Sequence, residues 1–205
     1  MRDEKGFDLW ADDYDRAVGV IEDEKTYPFA GYKDVLGYIF RVVTAKEKAK
    51  VLDLGFGTGT LTAKLYERGY DVFGQDFSKR MIELAKTKMP SAHLYHGDFS
   101  KGLVEPLNKT TYDFIVATYS LHHLPDERKI TFIPEILSHL SEGGQILIGD
   151  VAFPSGKEMA LCREQSGESW DEKEFYWVYD EMVKVFPTME FKRFSHCAAV
   201  MTLRK

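Results

Sequence analysis

The sequence predicts an α/β fold: a doubly wound, mainly parallel sheet of seven strands, ending in an antiparallel hairpin and preceded by a helical lid. Three observations predict it. Between residues 50 and 150, short β-rich runs alternate with stretches of helical periodicity, the rhythm of a parallel sheet with helices on both faces. The first of these runs leads straight into a glycine-rich turn, VLDLGFGTGT at 51–60. The end of the chain, MEFKRFSHCAAVMTLRK, reads as two short strands, an antiparallel pair at one sheet edge.

Taken in order, residues 7–19 and 28–45 are helical segments without a strand of their own. Residues 1–48 are too few for a separate core, so they read as a lid on a single domain. AKVLDL (49–54) is the first strand. Residues 58–68 are helical, with Leu61 and Leu65 four apart and Gly69 as the stop. YDVFGQD (70–76) is the second strand. Ser78 can cap a helix running to residue 88, with Met81, Ile82 and Ala85 on one face and Pro90 beyond its end. SAHLYHGD (91–98) and YDFIVATYS (112–120) are the third and fourth strands. A helix over 125–140 turns Ile130, Ile133, Ile136, Leu137 and Leu140 inward, and GGQILIGDVAF (143–153) is the fifth strand, closing a core of 49–154. Residues 155–167 and 171–186 are helical, and the aromatics Trp170, Phe175, Tyr176, Trp177 and Tyr179 read as packing.

The chain of 205 residues suits one domain with a full core. Its longest apolar runs are too short to cross a bilayer, and the N-terminus lacks a secretory apolar segment. A cytoplasmic protein is therefore expected. Cys162 and Cys197 stand alone, outside any CxxC spacing, and read as reduced. The first 24 residues hold nine acids and three bases and so carry the whole net charge of −6. No basic stripe points to nucleic acid.

The glycine turn leaves the first strand of a parallel sheet, where ligands bind at carboxyl ends of strands. The dinucleotide pattern asks for glycine at 60, where Thr60 stands, and no Gly-Lys-Ser/Thr phosphate loop is present. What stands there is Asp53, Gly55, Gly57 and Gly59 in D-x-G-x-G-x-G. A carboxylate at Asp53 repels a pyrophosphate and suits an ammonium group. Asp76, ending the second strand, is placed to accept from both ribose hydroxyls. Asp98, in HGDF after the third strand, is placed to accept from an exocyclic amine. Together they describe a site for a nucleoside carrying positive charge.

This set resembles the class I S-adenosylmethionine-dependent methyltransferases over nearly the whole chain. VLDLGFGTGTLT is similar to their first motif, FGQDFS and HGDF to their second- and third-strand acids, YDFIVATYSLHHL to their fourth-strand motif, and WADDYD (10–15) to the W-x3-YD element of many small-molecule members. YPFAGYKDVL and YSLHHLPDERK are similar to a group of small bacterial members. Phe56 departs from the family, where small residues or cysteine are commoner. The resemblance implies a Rossmann-like fold and S-adenosyl-L-methionine as cofactor. It implies that Gly55, Gly57 and Gly59 pack against the cofactor, that Asp53 reaches its ammonium and that Asp76 holds its ribose. Phe77 then flanks the adenine, while Asp98 and the Phe99 N–H bind its edge. Thr118 faces the sulfonium, and Tyr14 or Tyr32 closes over the top.

Methyl transfer from a sulfonium needs an aligned acceptor in a dry pocket and, for some acceptors, a base. The candidates are His122 and His123 in SLHHLP, beyond the fourth strand, of which at most one is expected to face the pocket. His93, His96 and His139 read as packing or helix-end residues. A metal site is not expected, since the adjacent histidines have no acid or further histidine at ligand spacing on one helix. The leading function is methyl transfer to a small molecule. Two alternatives stay open: a tRNA wobble-nucleoside methyltransferase, since similar HHL loops occur there, and a non-catalytic binding module. Thr60 and Asp53 disfavour a nucleotide-dependent oxidoreductase.

Overall fold

The structure, a computed structural model, describes residues 26–205. Its strands are β1 (Lys50–Leu54), β2 (Asp71–Asp76), β3 (His93–His96), β4 (Tyr112–Thr118), β5 (Leu140–Phe153), β6 (Trp177–Val178), β7 (Glu190–Arg193) and β8 (Ala198–Arg204). The helices are α1 (Tyr32–Thr44), α2 (Thr62–Glu67), α3 (Lys79–Lys88), α4 (Asp126–Ser138), α5 (Gly156–Ser166) and α6 (Tyr179–Val185). The strand order is β3-β2-β1-β4-β5-β8-β7, with β6 added to β5. All pairings are parallel except those of β8 with β5 and β7, which makes β7 and β8 the expected C-terminal hairpin. From β1 the chain winds outward to β2 and β3, then returns to lay β4 on β1's other side. The switch point therefore lies between β1 and β4, where open α/β sheets bind ligands.

Helices cover both faces of the sheet, so β5 is buried without a break from Ile146 to Phe153 and is apolar there apart from Gly149 and Asp150. On one face α4 buries Phe132, Ile133 and Ile136 against Tyr112, Ile115 and Ile148. On the other, α1 buries Val35, Ile39 and Val43 among Leu147, Val116 and Val200. A Cβ on Gly149 of β5 would lie 2.4 Å from Val35 Cγ1 and 2.8 Å from Ile39 Cδ1, so this glycine lets α1 lie flush on the sheet. Residues 32–44 thus pack as a layer on the sheet, with Tyr32 at their start reaching the cleft wall. The helix expected at 7–19 lies outside the described residues. Ser78 caps α3, its hydroxyl accepting from the Met81 N–H at 3.1 Å, as its spacing predicts.

Two expectations give way to tertiary contacts. Residues 171–186 are not one helix: only Tyr179–Val185 is helical, and Trp177–Val178 forms the short strand β6 against Ala152 and Phe153. Burial of the Trp177 ring and the bond from the Phe175 N–H to the His122 carbonyl (2.7 Å) hold this segment extended. In α4 the fully buried position is Lys129, not Ile130. Its ammonium donates to Asp126 Oδ1 (2.8 Å) and to the Phe175 carbonyl, and lies 4.6 Å from the centre of the Trp177 ring. Such burial is tolerated because the charge is paired and hydrogen-bonded. No described helix is long and apolar enough to cross a membrane.

Candidate active site

The ends of β1, β2, β3 and β4 open onto one cleft with about 920 Å³ of empty space, part of it open to solvent. Of the residues expected from sequence, Gly55, Gly57, Asp76, Phe77, Asp98, Phe99, Thr118, Tyr32 and His123 form its wall. Asp53, Gly59 and His122 stand behind the wall, and Tyr14 lies outside the described residues.

The turn after β1 is shaped by its glycines. Gly55 has φ +74°, and a Cβ there would lie 2.4 Å from the Ser120 Cβ, so the loop after β4 closes directly over it. The Ser120 hydroxyl donates to the Leu54 carbonyl at 2.7 Å and fixes that closure. Gly59, at φ +84°, also fits the turn to what lies behind it. Its missing side chain makes room for Met89 Cε, which would be 2.7 Å from a Cβ, and so joins the turn to the end of α3.

Asp76 ends β2 and is buried. One oxygen accepts from the Gly57 N–H (2.8 Å) and the other from the Ser78 N–H (2.9 Å). Burial pushes its pKa up to about 6, against the pull of these amides. Asp98 begins a 3-10 turn, accepting from the Ser100 N–H at 2.9 Å and pairing with Lys101 at 3.3 Å. Burial works to raise its pKa, but Ser100 and Lys101 prevail and lower it. Beyond β4, Tyr119 takes a left-handed conformation (φ +51°), and its ring packs 4.9 Å from that of Tyr32 at the start of α1.

Asp53 is buried behind the glycine turn, and its Oδ2 accepts from the Thr62 hydroxyl of α2. Its Oδ1 has no protein partner among the described residues. Burial pushes the pKa up to about 7 despite the Thr62 bond, and the Asp76 charge adds to the rise. An acid whose folded pKa is raised stabilises the fold fully below its ordinary pKa, and that stability is lost as pH rises through about 7. Stability of the ligand-free protein is therefore expected to fall between about pH 4 and pH 7, by up to about 4 kcal/mol from this group, and to level off above. Urea melts across that range check this, and Asp53→Asn should flatten the slope.

The adjacent histidines part company. His122 Nδ1 lies 2.5 Å from Asp150 Oδ1, and its backbone N–H donates to Asp150 Oδ2 at 3.1 Å. Asp150 is fully buried in β5 and also accepts from the Trp177 indole (3.2 Å) and the Val151 N–H (2.8 Å). Burial disfavours the His122 cation, but the Asp150 charge and hydrogen bond, with help from Glu174, raise its pKa. His123 is the one on the cleft wall, and its Nδ1 lies 2.7 Å from Glu174 Oε2. Burial and then His122 hold its pKa below the usual 6.5, against Glu174.

Sequence reasoning did not reach Asp150 or Glu174. Asp150 had a visible signal, an acid inside an apolar strand. Glu174, 51 residues from His123, had none. His139 caps the end of α4, His93 stacks on Phe73 (4.6 Å), and the His96 ring bonds the Phe77 carbonyl (2.9 Å); none of the three lines the cleft. Tyr27, Trp170, Tyr176 and Phe153 form an aromatic cluster beyond β5, and Phe175 is exposed.

A family model described as a methyltransferase domain matches residues 51–144. An "uncharacterized methyltransferase" of Geobacillus sp. (strain WCH70) is 35% identical over 188 residues, 88% of this chain and 85% of its own. Two solved structures share the fold. Magnesium protoporphyrin IX methyltransferase (ChlM) from Synechocystis PCC 6803 with bound SAH has a TM-score of 0.67 at 16% identity, covering 86% of this chain and 84% of that one. The DhpI-SAM-HEP complex has a TM-score of 0.68 at 18% identity, covering 97% and 94%.

Proposed function

The chain belongs to the class I S-adenosylmethionine-dependent methyltransferases, with S-adenosyl-L-methionine as its cofactor, and from that premise we propose that it methylates a small-molecule acceptor. One observation carries the choice. Beyond the carboxylates Asp76 and Asp98, which serve the cofactor, the wall is built from neutral groups such as Tyr32, Thr118, Tyr119 and Ser120, with no lysine or arginine among the described residues lining it. Such a wall offers a phosphodiester chain nothing to neutralise it.

The residues present fit the cofactor. The bare turn at Gly55 and Gly57 admits a ligand against the backbone, Asp76 stands where ribose hydroxyls would be held, and Asp98 with Phe99 stands where the adenine edge would lie. The unpartnered Oδ1 of Asp53 supplies negative charge beneath the turn for an ammonium. Bound there, S-adenosylmethionine supplies a methyl group already activated on a sulfonium. The protein then has to seat the acceptor, exclude water and manage a proton.

Thr118, Tyr119, Ser120 and Tyr32 shape the acceptor end of the cleft. His123 takes the acceptor's proton. Its Nδ1–H donates to Glu174, which leaves Nε2 as the basic nitrogen, and its lowered pKa keeps the ring neutral near pH 7. His122 acts through position: clamped on Asp150, it sets the loop that carries His123. The two buried free thiols, Cys162 and Cys197, agree with the cytoplasmic setting read from the sequence.

Labelled S-adenosylmethionine offered to a metabolite extract and to total tRNA checks the acceptor class. Label is expected in the small-molecule fraction. Label in tRNA, with none in the metabolites, overturns the choice.

A further inference from the structure

The pair of histidines and Glu174 form a group whose composition goes beyond proton transfer. One nitrogen from each ring and one carboxylate oxygen all lie within 4.8 Å of one another. His122 Nε2 is 3.5 Å from Glu174 Oε2, and His123 Nδ1 is 2.7 Å from the same carboxylate oxygen. In a tetrahedral zinc site with bonds near 2.0–2.1 Å, neighbouring ligand atoms stand about 3.4 Å apart. The first distance already has that value, and the second reaches it when Glu174 withdraws by less than about 1 Å.

The donors are of the right kind. Two imidazoles and one glutamate with a fourth position open is a ligand set of catalytic zinc sites. The support behind them is also right. A metal-binding imidazole is commonly oriented by a carboxylate on its other nitrogen, and His122 has this in Asp150, at 2.5 Å and fully buried. Asp150 is in turn fixed by the Trp177 indole and the Val151 amide. His122 thus presents Nε2 outward in one tautomer, toward Glu174.

The charge balance agrees. The buried Lys129 ammonium, bonded to Asp126, also acts on Asp150 and Glu174 and offsets part of their charge, and a protonated imidazole or a divalent cation can offset the remainder. The site is open on the side where His123 forms the cleft wall.

We propose that His122 Nε2, His123 Nδ1 and the Glu174 carboxylate bind one divalent transition-metal ion of the zinc class, oriented by Asp150, with its open coordination position toward the cleft. This departs from the expectation drawn from sequence spacing, which had no sight of Glu174. The ion replaces the proton shared by His123 and Glu174. With Nδ1 on the metal, Nε2 of His123 carries the hydrogen and can no longer accept one. Metal binding and the proton-accepting role assigned above therefore exclude each other, and that part of the inference rests on the proposed function.

The test titrates the full-length protein with Co²⁺ by visible absorption and with Zn²⁺ by competition against a chromogenic chelator. Wild type is expected to take up one ion with the intense visible band of low-coordinate Co²⁺. Glu174→Gln and His123→Ala should each weaken uptake at least a hundredfold while still binding S-adenosylmethionine, which shows that they are folded. His93→Ala, which removes an exposed histidine, should bind like wild type. Absence of uptake by wild type, or equal uptake by Glu174→Gln and His123→Ala, overturns the metal site. A second readout separates the two ideas: saturating Zn²⁺ is expected to stop methyl transfer, and a chelator to restore it. If the ion binds as stated and turnover is unchanged, the metal site stands and His123 is not the base.

Discussion

Asp76→Ala is expected to weaken S-adenosylmethionine binding by about 10²–10⁴-fold in a calorimetric titration. A carboxylate that accepts from two ribose hydroxyls makes two charge-assisted bonds, each of about 1.5–3 kcal/mol. The same side chain holds the glycine turn, because its two oxygens bind the Gly57 and Ser78 amides. Alanine removes the ligand contact and releases the turn together. Asp76→Asn separates the two effects: its carbonyl still accepts from one amide, so the turn is partly kept while the charge is lost. Its affinity should fall between those of wild type and the alanine variant. Because burial raises the pKa of Asp76 to about 6, wild-type affinity should hold above that pH. Below it, affinity should drop up to about tenfold per unit as the carboxylate takes a proton. Unchanged affinity for Asp76→Ala, with the fold intact by circular dichroism, removes the ribose assignment.

The second large effect separates two neighbouring residues. His123→Ala should lower kcat by about 10²–10⁴-fold, the usual contribution of a positioned base. Its S-adenosylmethionine affinity should stay close to wild type, since no other cleft contact changes. The pH profile is the discriminating readout. His123 sits below 6.5 because of burial and the His122 ring, so the wild-type rate should climb through a pKa under 6.5 and be flat at neutrality. Glu174→Gln takes away the charge that holds this pKa up, so the rise should move to lower pH. His122→Ala should behave differently, because it leaves the buried Asp150 without its partner. The expected result is a loss of about 3–5 kcal/mol of stability, seen in denaturant melts, with turnover falling in proportion to unfolding. Full turnover in His123→Ala with the acceptor-bearing extract rules out its role as base.

Much of this architecture was legible from one chain because parallel α/β sheets leave local signals. The strands from 49 to 153 stand within a few residues of where alternation and turns place them, and Ser78 caps α3 as its spacing requires. The acids at β2 and β3 were legible for the same reason: a strand end fixes which loop residues face a ligand. What could not be read were contacts between segments distant in sequence. Residues 171–178 have helical composition yet form a turn and then an extended stretch, since Trp177 gains more by entering the core than the segment gains from helix hydrogen bonds. Lys129 displaced Ile130 as the buried residue of α4 because a backbone carbonyl and the Trp177 face await its ammonium. Neither fact has a local signature. Which of His122 and His123 reaches the cleft wall was open for the same reason, since their partners are Asp150 on β5 and Glu174 on a segment with no recognisable motif.

Asp150 joins three pieces of chain that a protein engineer would be tempted to treat as separate modules: the loop after β4, the body of β5 and the extended stretch around Trp177. A designer transplanting residues 167–178 from another protein to change acceptor preference would have to bring a matching indole and glutamate, or rebuild the histidine loop as well. These three pieces are therefore inherited as a block, and single-segment swaps should yield poorly folded hybrids.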